Sequence, residues 1–134
     1  LNQLASLVRE FENVNALNNL AFLLAIQNRD LEEADALIRK SLELMGPQPA
    51  LLDSHALVLM AKRHYAEAEN VLSQAIEDAP GNALYRMHQA EAQMALKRLG
   101  DAQQNLQLAQ SYGVADLPLH PSDRQRLQQL ESQL

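Results

Sequence analysis

Alanine recurs in this chain at a fixed interval of 34 residues. Three sets of alanines share the interval, namely Ala34, Ala68 and Ala102; Ala56 and Ala90; and Ala75 and Ala109. A period of this length indicates a repeat architecture, in which one supersecondary unit packs on the next copy of itself. The small side chains mark the places where neighbouring backbones approach closely.

The repeated unit is helical. Hydrophobic residues make up 47% of the 134 residues and aromatic residues only 4%, so Leu and Ala dominate the apolar set, and both favour helix. Glycine and proline divide the chain into short apolar-periodic segments. These predict eight helices, near 1–11, 14–27, 31–45, 49–62, 65–78, 83–97, 99–112 and 122–134. The predicted N-caps are Asn13, Asp30, Asn82 and Ser122.

Charge and composition exclude several classes of protein. The net charge of −6 argues against nucleic acid or an anionic membrane as the main partner. The absence of cysteine removes disulfides, thiol nucleophiles and zinc–thiolate sites, and leaves both cytoplasm and periplasm open as compartments. The longest wholly apolar run covers residues 20–26, far short of the roughly 18 residues that a membrane-spanning helix needs. We therefore expect no membrane insertion.

One complete unit is residues 49–82, PALLDSHALVLMAKRHYAEAENVLSQAIEDAPGN, and it resembles a tetratricopeptide repeat. That family has a 34-residue unit with small and apolar residues at fixed places and a closing proline. The matching residues are Leu52, Ala56, Leu59, Tyr65, Ala68, Leu72, Ala75 and Pro80. Residues 15–48 match with one extra residue between Ala21 and Ala34. Residues 83–116 match except that Val114 replaces the terminal proline.

The resemblance implies an all-α fold, a right-handed superhelical solenoid of antiparallel helix pairs. The whole chain, 1–134, is then a single domain of about three repeats with terminal helices. Its parts are a partial preceding repeat (1–13), three repeats (15–48, 49–82 and 83–116) and a C-terminal capping helix (122–134). The first segment places Leu4, Leu7, Val8 and Phe11 on one helix face.

The resemblance also implies a concave groove, lined by the first helix of each pair, that binds a segment of a partner protein. The groove positions of the family fall here on Asn15, Asn18, Asn19, Phe22, Ile26, Asp53, Leu57, Met60, Leu84, Met87, His88, Glu91 and Met94. Five of them, Phe22, Leu57, Met60, Met87 and Met94, would form an apolar stripe. Such a stripe typically marks an interaction site, and methionine adapts to varied apolar partners.

The function predicted from these features is a protein–protein interaction module that holds a partner peptide or helix in the groove. Some family members clamp a C-terminal carboxylate with basic groove residues, but Leu84 and His88 stand at those positions here. The alternative function is a structural spacer or oligomerisation arm of a larger multidomain protein. In that case the terminal helix or a second copy of the chain would cover the stripe.

We expect no enzymatic activity, cofactor or metal. Asp53, Ser54 and His55 have the residue types of a hydrolytic triad, but neighbouring helix positions do not face one another. His88 and Glu91 share a helix face, yet two ligands alone do not make a metal site. There is no glycine-rich phosphate loop.

Overall fold

The fold is built from helices alone. The computed structural model describes the backbone of residues 2–134 and the side chains of residues 12–134. Over this part of the chain there are seven α-helices and no β-strand. The helices are α1 (Asn2–Ile26), α2 (Leu31–Met45), α3 (Pro49–Ala61), α4 (Tyr65–Asp78), α5 (Ala83–Ala95), α6 (Leu99–Ser111) and α7 (Pro121–Gln133); a short 3-10 turn, Val114–Asp116, precedes α7. The predicted all-α class is confirmed.

The predicted helix boundaries hold to within two residues for α2 to α7. The predicted break at Asn13 is wrong, because Asn2–Ile26 is a single helix. Asn13 is an exposed interior position of that helix, and no glycine or proline precedes residue 27 to interrupt it. The apolar face predicted for residues 1–11 lies outside the described side chains. The assignment of residues 1–13 to a preceding repeat stays a prediction.

The turn within each helix pair has the same hydrogen-bonding pattern. After α3, the Arg63 N–H donates to the Met60 carbonyl (2.9 Å) and the His64 N–H donates to the Leu59 carbonyl (2.8 Å). This is the Schellman arrangement, which ends a helix with one left-handed residue. The left-handed residues of the three turns are Asn28 (φ 52°), Arg63 (φ 66°) and Lys97 (φ 64°). The extra residue of the first repeat lies in the first of these turns, which has four residues where the others have three.

One of three predicted helix caps after the first helix is confirmed. The Asn82 side chain accepts a hydrogen bond from the Tyr85 N–H (3.0 Å), as an N-cap does. The predicted capping box at Asp30 is wrong, because Asp30 is left-handed and its side chain makes no cap bond. The predicted cap at Ser122 is also wrong. The cap of α7 is His120, whose ring nitrogen accepts from the Ser122 N–H (3.1 Å).

The helices pack as a solenoid of antiparallel pairs. Each second helix, α2 or α4, packs on the first helix of its own pair and on the first helix of the next pair, and α6 packs on α5. The first helices α1, α3 and α5 also contact one another in sequence, and α7 follows by contacting α5. Helix α3 lies at the centre, so every residue from 51 to 60 is buried. None of the described helices is both long and apolar enough to span a bilayer.

Substitution of Ala68 by leucine tests the close approach of helices at the repeated alanines. Ala68 is fully buried in the same apolar cluster as Ala56, Leu59 and Leu72. Extra methylene groups there would displace packed neighbours, so we expect Ala68→Leu to lower the free energy of unfolding by about 1–3 kcal/mol. Urea unfolding followed by circular dichroism measures this. The control is Ala66→Leu on the exposed side of the same helix, and an equal midpoint for both variants would contradict the packing argument.

Candidate partner-binding surface

The first helices α1, α3 and α5 form one continuous layer, since α3 contacts both of the others. We call the face of this layer that carries the thirteen predicted groove residues the concave face. Its two ends differ in exposure. On α1, Asn15 and Asn19 are exposed, and Asn18, Phe22 and Ile26 are half-buried. The α1 end of the concave face is therefore partly exposed to solvent.

The α3 and α5 part of the concave face is mostly buried. On α3, the exposed fraction is 8% for Asp53, 2% for Leu57 and 5% for Met60. On α5, Met87 and His88 are fully buried. Leu84, Glu91 and Met94 are half-buried. Partner contact by the thirteen residues stays a prediction, and for the five buried ones it requires that the atoms covering them move.

The C-terminal part of the chain lies against this surface. The His120 ring packs edge-on against Phe22 of α1, with ring centroids 5.4 Å apart and planes at 87°. The Arg126 guanidinium donates to the Glu91 carboxylate over 3.1 Å between Nη1 and Oε2. Two residues on the concave face, one on its first helix and one on its last, are thus in contact with the beginning of α7.

A buried ion network joins α7 to α3 and α5. His88 donates from Nδ1 to Asp53 Oδ1 (2.6 Å) and from Nε2 to Asp123 Oδ1 (2.8 Å). All three residues are at most 8% exposed. Each carboxylate is separated from His88 by 35 residues in the sequence, so consecutive first helices and α7 supply one residue each. We call Asp53, His88 and Asp123 the concave triad.

The triad holds His88 in its charged form. Burial of the imidazole lowers its pKa, but the charge of Asp53 and the hydrogen bonds to Asp123 and Asp53 outweigh burial and raise the pKa to about 10. For Asp123, burial raises the pKa, and the hydrogen bond and charge of His88 lower it further than burial raises it. At neutral pH the triad is therefore one imidazolium between two carboxylates.

The concave triad joins three helices of the chain, α3, α5 and α7. Both ring nitrogens of His88 donate hydrogen bonds, so neither can act as a base or a metal ligand. Within residues 12–134, no three His, Asp or Glu side chains converge as metal ligands would. His88 and Glu91, which share a helix face, face different partners on α7.

Comparison with known proteins places the fold. No model of a protein family matches the chain. A 65-residue segment, 46% of the chain, is 37% identical to Tetratricopeptide repeat protein 7B of Mus musculus and of Homo sapiens, and it covers 8% of each of those proteins. The chain thus corresponds to a small part of these relatives. The solved structures it resembles are more complete matches.

Three of those structures cover nine-tenths or more of the chain. The first TPR of Spaghetti (RPAP3) bound to the HSP90 peptide SRMEEVD has a TM-score of 0.70 at 16% identity and covers 90% of this chain and 92% of that one. The first TPR domain of the human RPAP3 protein has a TM-score of 0.71 at 16% identity and covers 90% of this chain and 91% of that one. The Arabidopsis OM64 TPR domain has a TM-score of 0.71 at 14% identity and covers 93% of this chain and 99% of that one. The chain has the fold of a tetratricopeptide-repeat domain.

Within the tetratricopeptide fold, Asp53 and His55 point to different neighbours. Asp53 pairs with His88, whereas the His55 ring faces Asp35 of α2, with 3.6 Å between Nε2 and Oδ1. Burial, followed by the charge of Arg39, lowers the pKa of His55 despite the nearby Asp35 and Glu67. The three residues do not assemble into a catalytic triad.

The predicted site residues did not include Asp123 and Arg126, the two charged residues through which α7 contacts the concave face. A signal for them exists, because Asp123 and Arg126 follow His88 and Glu91 by the same 35 residues. Opposite charges one repeat apart would have indicated the contact.

Proposed function

We propose that the chain is a protein–protein interaction module that binds a segment of a partner protein on its concave face. The observation that carries the proposal is the α1 end of that face, where exposed Asn15 and Asn19 lie beside half-buried Phe22 and Ile26. Amide groups beside apolar side chains suit an extended or helical peptide, since they supply both backbone hydrogen bonds and buried area. Similarity to a peptide-bound tetratricopeptide domain supports the proposal.

The charge of the concave face favours a partner segment that is not acidic. Asp53 and Glu91 belong to this face, and Asp123 adjoins it. The one histidine among the groove residues, His88, is already bound by two carboxylates. The three carboxylates outnumber the two cations beside them, His88 and Arg126, and both cations are already paired, so an acidic peptide would meet a net negative charge. The HSP90 peptide in the similar structure is such an acidic segment, and we expect it to bind this chain poorly.

A structural or oligomerisation role is the second candidate. It is favoured by Leu20 and Leu23 on α1 and Leu44 on α2, which are 43%, 45% and 51% exposed. Exposed large aliphatic side chains on an end helix can pack on another domain or on a second copy. This role uses residues outside the concave face, so one substitution experiment separates the two candidates.

Substitution of Asn19 by arginine tests the open end of the concave face. Asn19 is exposed on α1, so a long charged side chain would obstruct the surface without disturbing the core. We expect a captured partner to bind at least about tenfold more weakly, equivalent to about 1.4 kcal/mol. Affinity capture from the source cells, quantified by mass spectrometry, measures this.

The matched control is Asn70→Arg, which adds the same charge at an exposed position of α4, a second helix. Its captured proteins should match those of the unsubstituted chain. If both variants capture the same proteins in the same amounts, the concave face is not the binding surface. If both lose a protein equally, charge alone explains the loss and the proposal also fails.

A further inference from the structure

The start of α7 presents one row of side chains to the concave face. His120, Asp123 and Arg126 are three residues apart, so they lie along one side of the helix and its cap. Each has its own contact on the concave face, namely His120 with Phe22, Asp123 with His88, and Arg126 with Glu91. The first contact joins two rings, the second joins the Asp123 carboxylate to the His88 cation, and the third joins the Arg126 cation to the Glu91 carboxylate.

We propose that this row is an internal copy of the natural ligand, and that the partner segment is a helix which replaces the start of α7. The proposal rests on the proposed function and specifies the chemistry of its partner. The partner helix carries a ring side chain, then a carboxylate three residues later, then a basic side chain after three more. If the start of α7 were displaced, the positive charge of His88 and the negative charge of Glu91 would become exposed. They would pair with the carboxylate and the basic side chain of such a helix, in that order.

The two halves of α7 are attached differently, which makes replacement of its start feasible. Leu127 and Leu130 are 3% and 1% exposed and pack into the apolar cluster of α5 and α6. The first half has the polar and ring contacts of His120, Asp123 and Arg126, and its one apolar contact with that cluster comes from Leu119, directly before the cap and only partly buried. A partner helix that forms the same contacts offsets their loss, so the exchange needs no unpaired charge in the buried triad.

The linker before α7 allows the exchange to be measured on the complete chain. Residues 115–118 are exposed, so a protease site inserted between Leu117 and Pro118 can be cut after folding. The cut leaves residues 118–134 bound without a covalent link. A fluorescent synthetic peptide of residues 118–134 is then added, and its binding is followed by anisotropy.

We expect the labelled peptide to bind the cut chain and to bind the uncut chain at least 100-fold more weakly, since the attached segment competes at high effective concentration. Peptides with Asp123→Asn or Arg126→Glu should bind the cut chain at least tenfold more weakly. A Glu91→Lys chain should restore binding of the Arg126→Glu peptide. The control peptide carries Gln128→Glu at an exposed position and should bind like the unsubstituted one.

Several outcomes would overturn the proposal. The cut chain could fail to bind the peptide, or it could bind the Arg126→Glu peptide as tightly as the unsubstituted one. Light scattering could show an uncut dimer that exchanges α7 between copies, which would make a second copy the occupant. None of these assays uses a captured partner. Failure of the peptide to bind the cut chain is therefore distinguishable from failure of Asn19→Arg to weaken partner capture.

Discussion

Replacement of His88 by leucine should lower the free energy of unfolding at pH 7 by about 3–5 kcal/mol. The change leaves the carboxylates of Asp53 and Asp123 buried, at 8% and 4% exposure, without their shared cation. A domain of this size has a total stability of about 5–15 kcal/mol, so the loss should be a large fraction of it. Urea unfolding monitored by circular dichroism measures the difference.

His55→Leu is the matched control for this loss. His55 is 8% exposed, like the carboxylates of the concave triad, but it lies 3.6 Å from Asp35. Asp35 also accepts a 2.7 Å hydrogen bond from Arg39, so loss of His55 leaves that carboxylate paired. We expect a cost of about 1 kcal/mol or less for this variant. Equal losses for the two histidine variants would show that burial, and not the ion network, accounts for the effect.

Removal of the whole network separates its net contribution from the penalty of breaking it. A variant with leucine at Asp53, His88 and Asp123 has no buried charge left unpaired at these sites. Buried ion networks replaced by apolar residues often leave stability unchanged or raise it by about 1–4 kcal/mol. We expect this triple variant to recover most of the stability lost by His88→Leu. The triad would then fix where α7 lies more than it stabilises the fold.

The helices were predictable because their signals are local. Gly46-Pro47, Pro80-Gly81 and Gly113 interrupt apolar periodicity, and the helices between them begin and end within two residues of expectation. Asn13 misled the prediction because a cap-forming residue is a weak signal. Asparagine costs a fraction of a kcal/mol inside a helix, and without a glycine or proline nearby the helix continues.

Coverage of the concave face was not predictable from the same signals. Leu57, Met60 and Met87 have helical spacing on faces that the repeat pattern assigns to the groove. Whether such residues are core or surface depends on packing between distant parts of the chain, as when Met87 joins one apolar cluster with Leu127 and Leu130 of α7, at least 40 positions later. Local periodicity contains no information on contacts of that range.

The structure divides the concave face into two parts that differ in exposure. The α3 and α5 part is mostly buried and has charged contacts from Asp123 and Arg126, while the α1 part presents Asn15 and Asn19 to solvent. Under the proposed function, a partner that first contacts α1 would reach the start of α7 through His120, whose ring touches Phe22. If the proposed exchange occurs, we expect the exposed α1 end to be contacted first and the buried triad to be exchanged afterwards.

The pH dependence of unfolding should report the charge of His88 directly. The pKa of His88 is about 10 in the folded chain and near 6.5 when the chain is unfolded. Between these values the folded state holds a proton that the unfolded state has lost, so stability falls as pH rises. The contribution of His88 is complete below about pH 6.5 and disappears as pH passes 10. The slope it adds is about 1.4 kcal/mol per pH unit at most.

Comparison with a variant that cannot titrate at these sites isolates the contribution of the concave triad. The triple variant Asp53→Asn, His88→Gln, Asp123→Asn keeps polar side chains of similar size and removes all three charges. Urea unfolding of both chains between pH 5 and 10 gives a difference curve in which other titrating groups cancel. We expect this difference to decline steadily from pH 6.5 to 10. A flat difference curve would mean that His88 is already neutral in the folded chain, and α7 would then be held by its leucines and the Arg126–Glu91 pair instead.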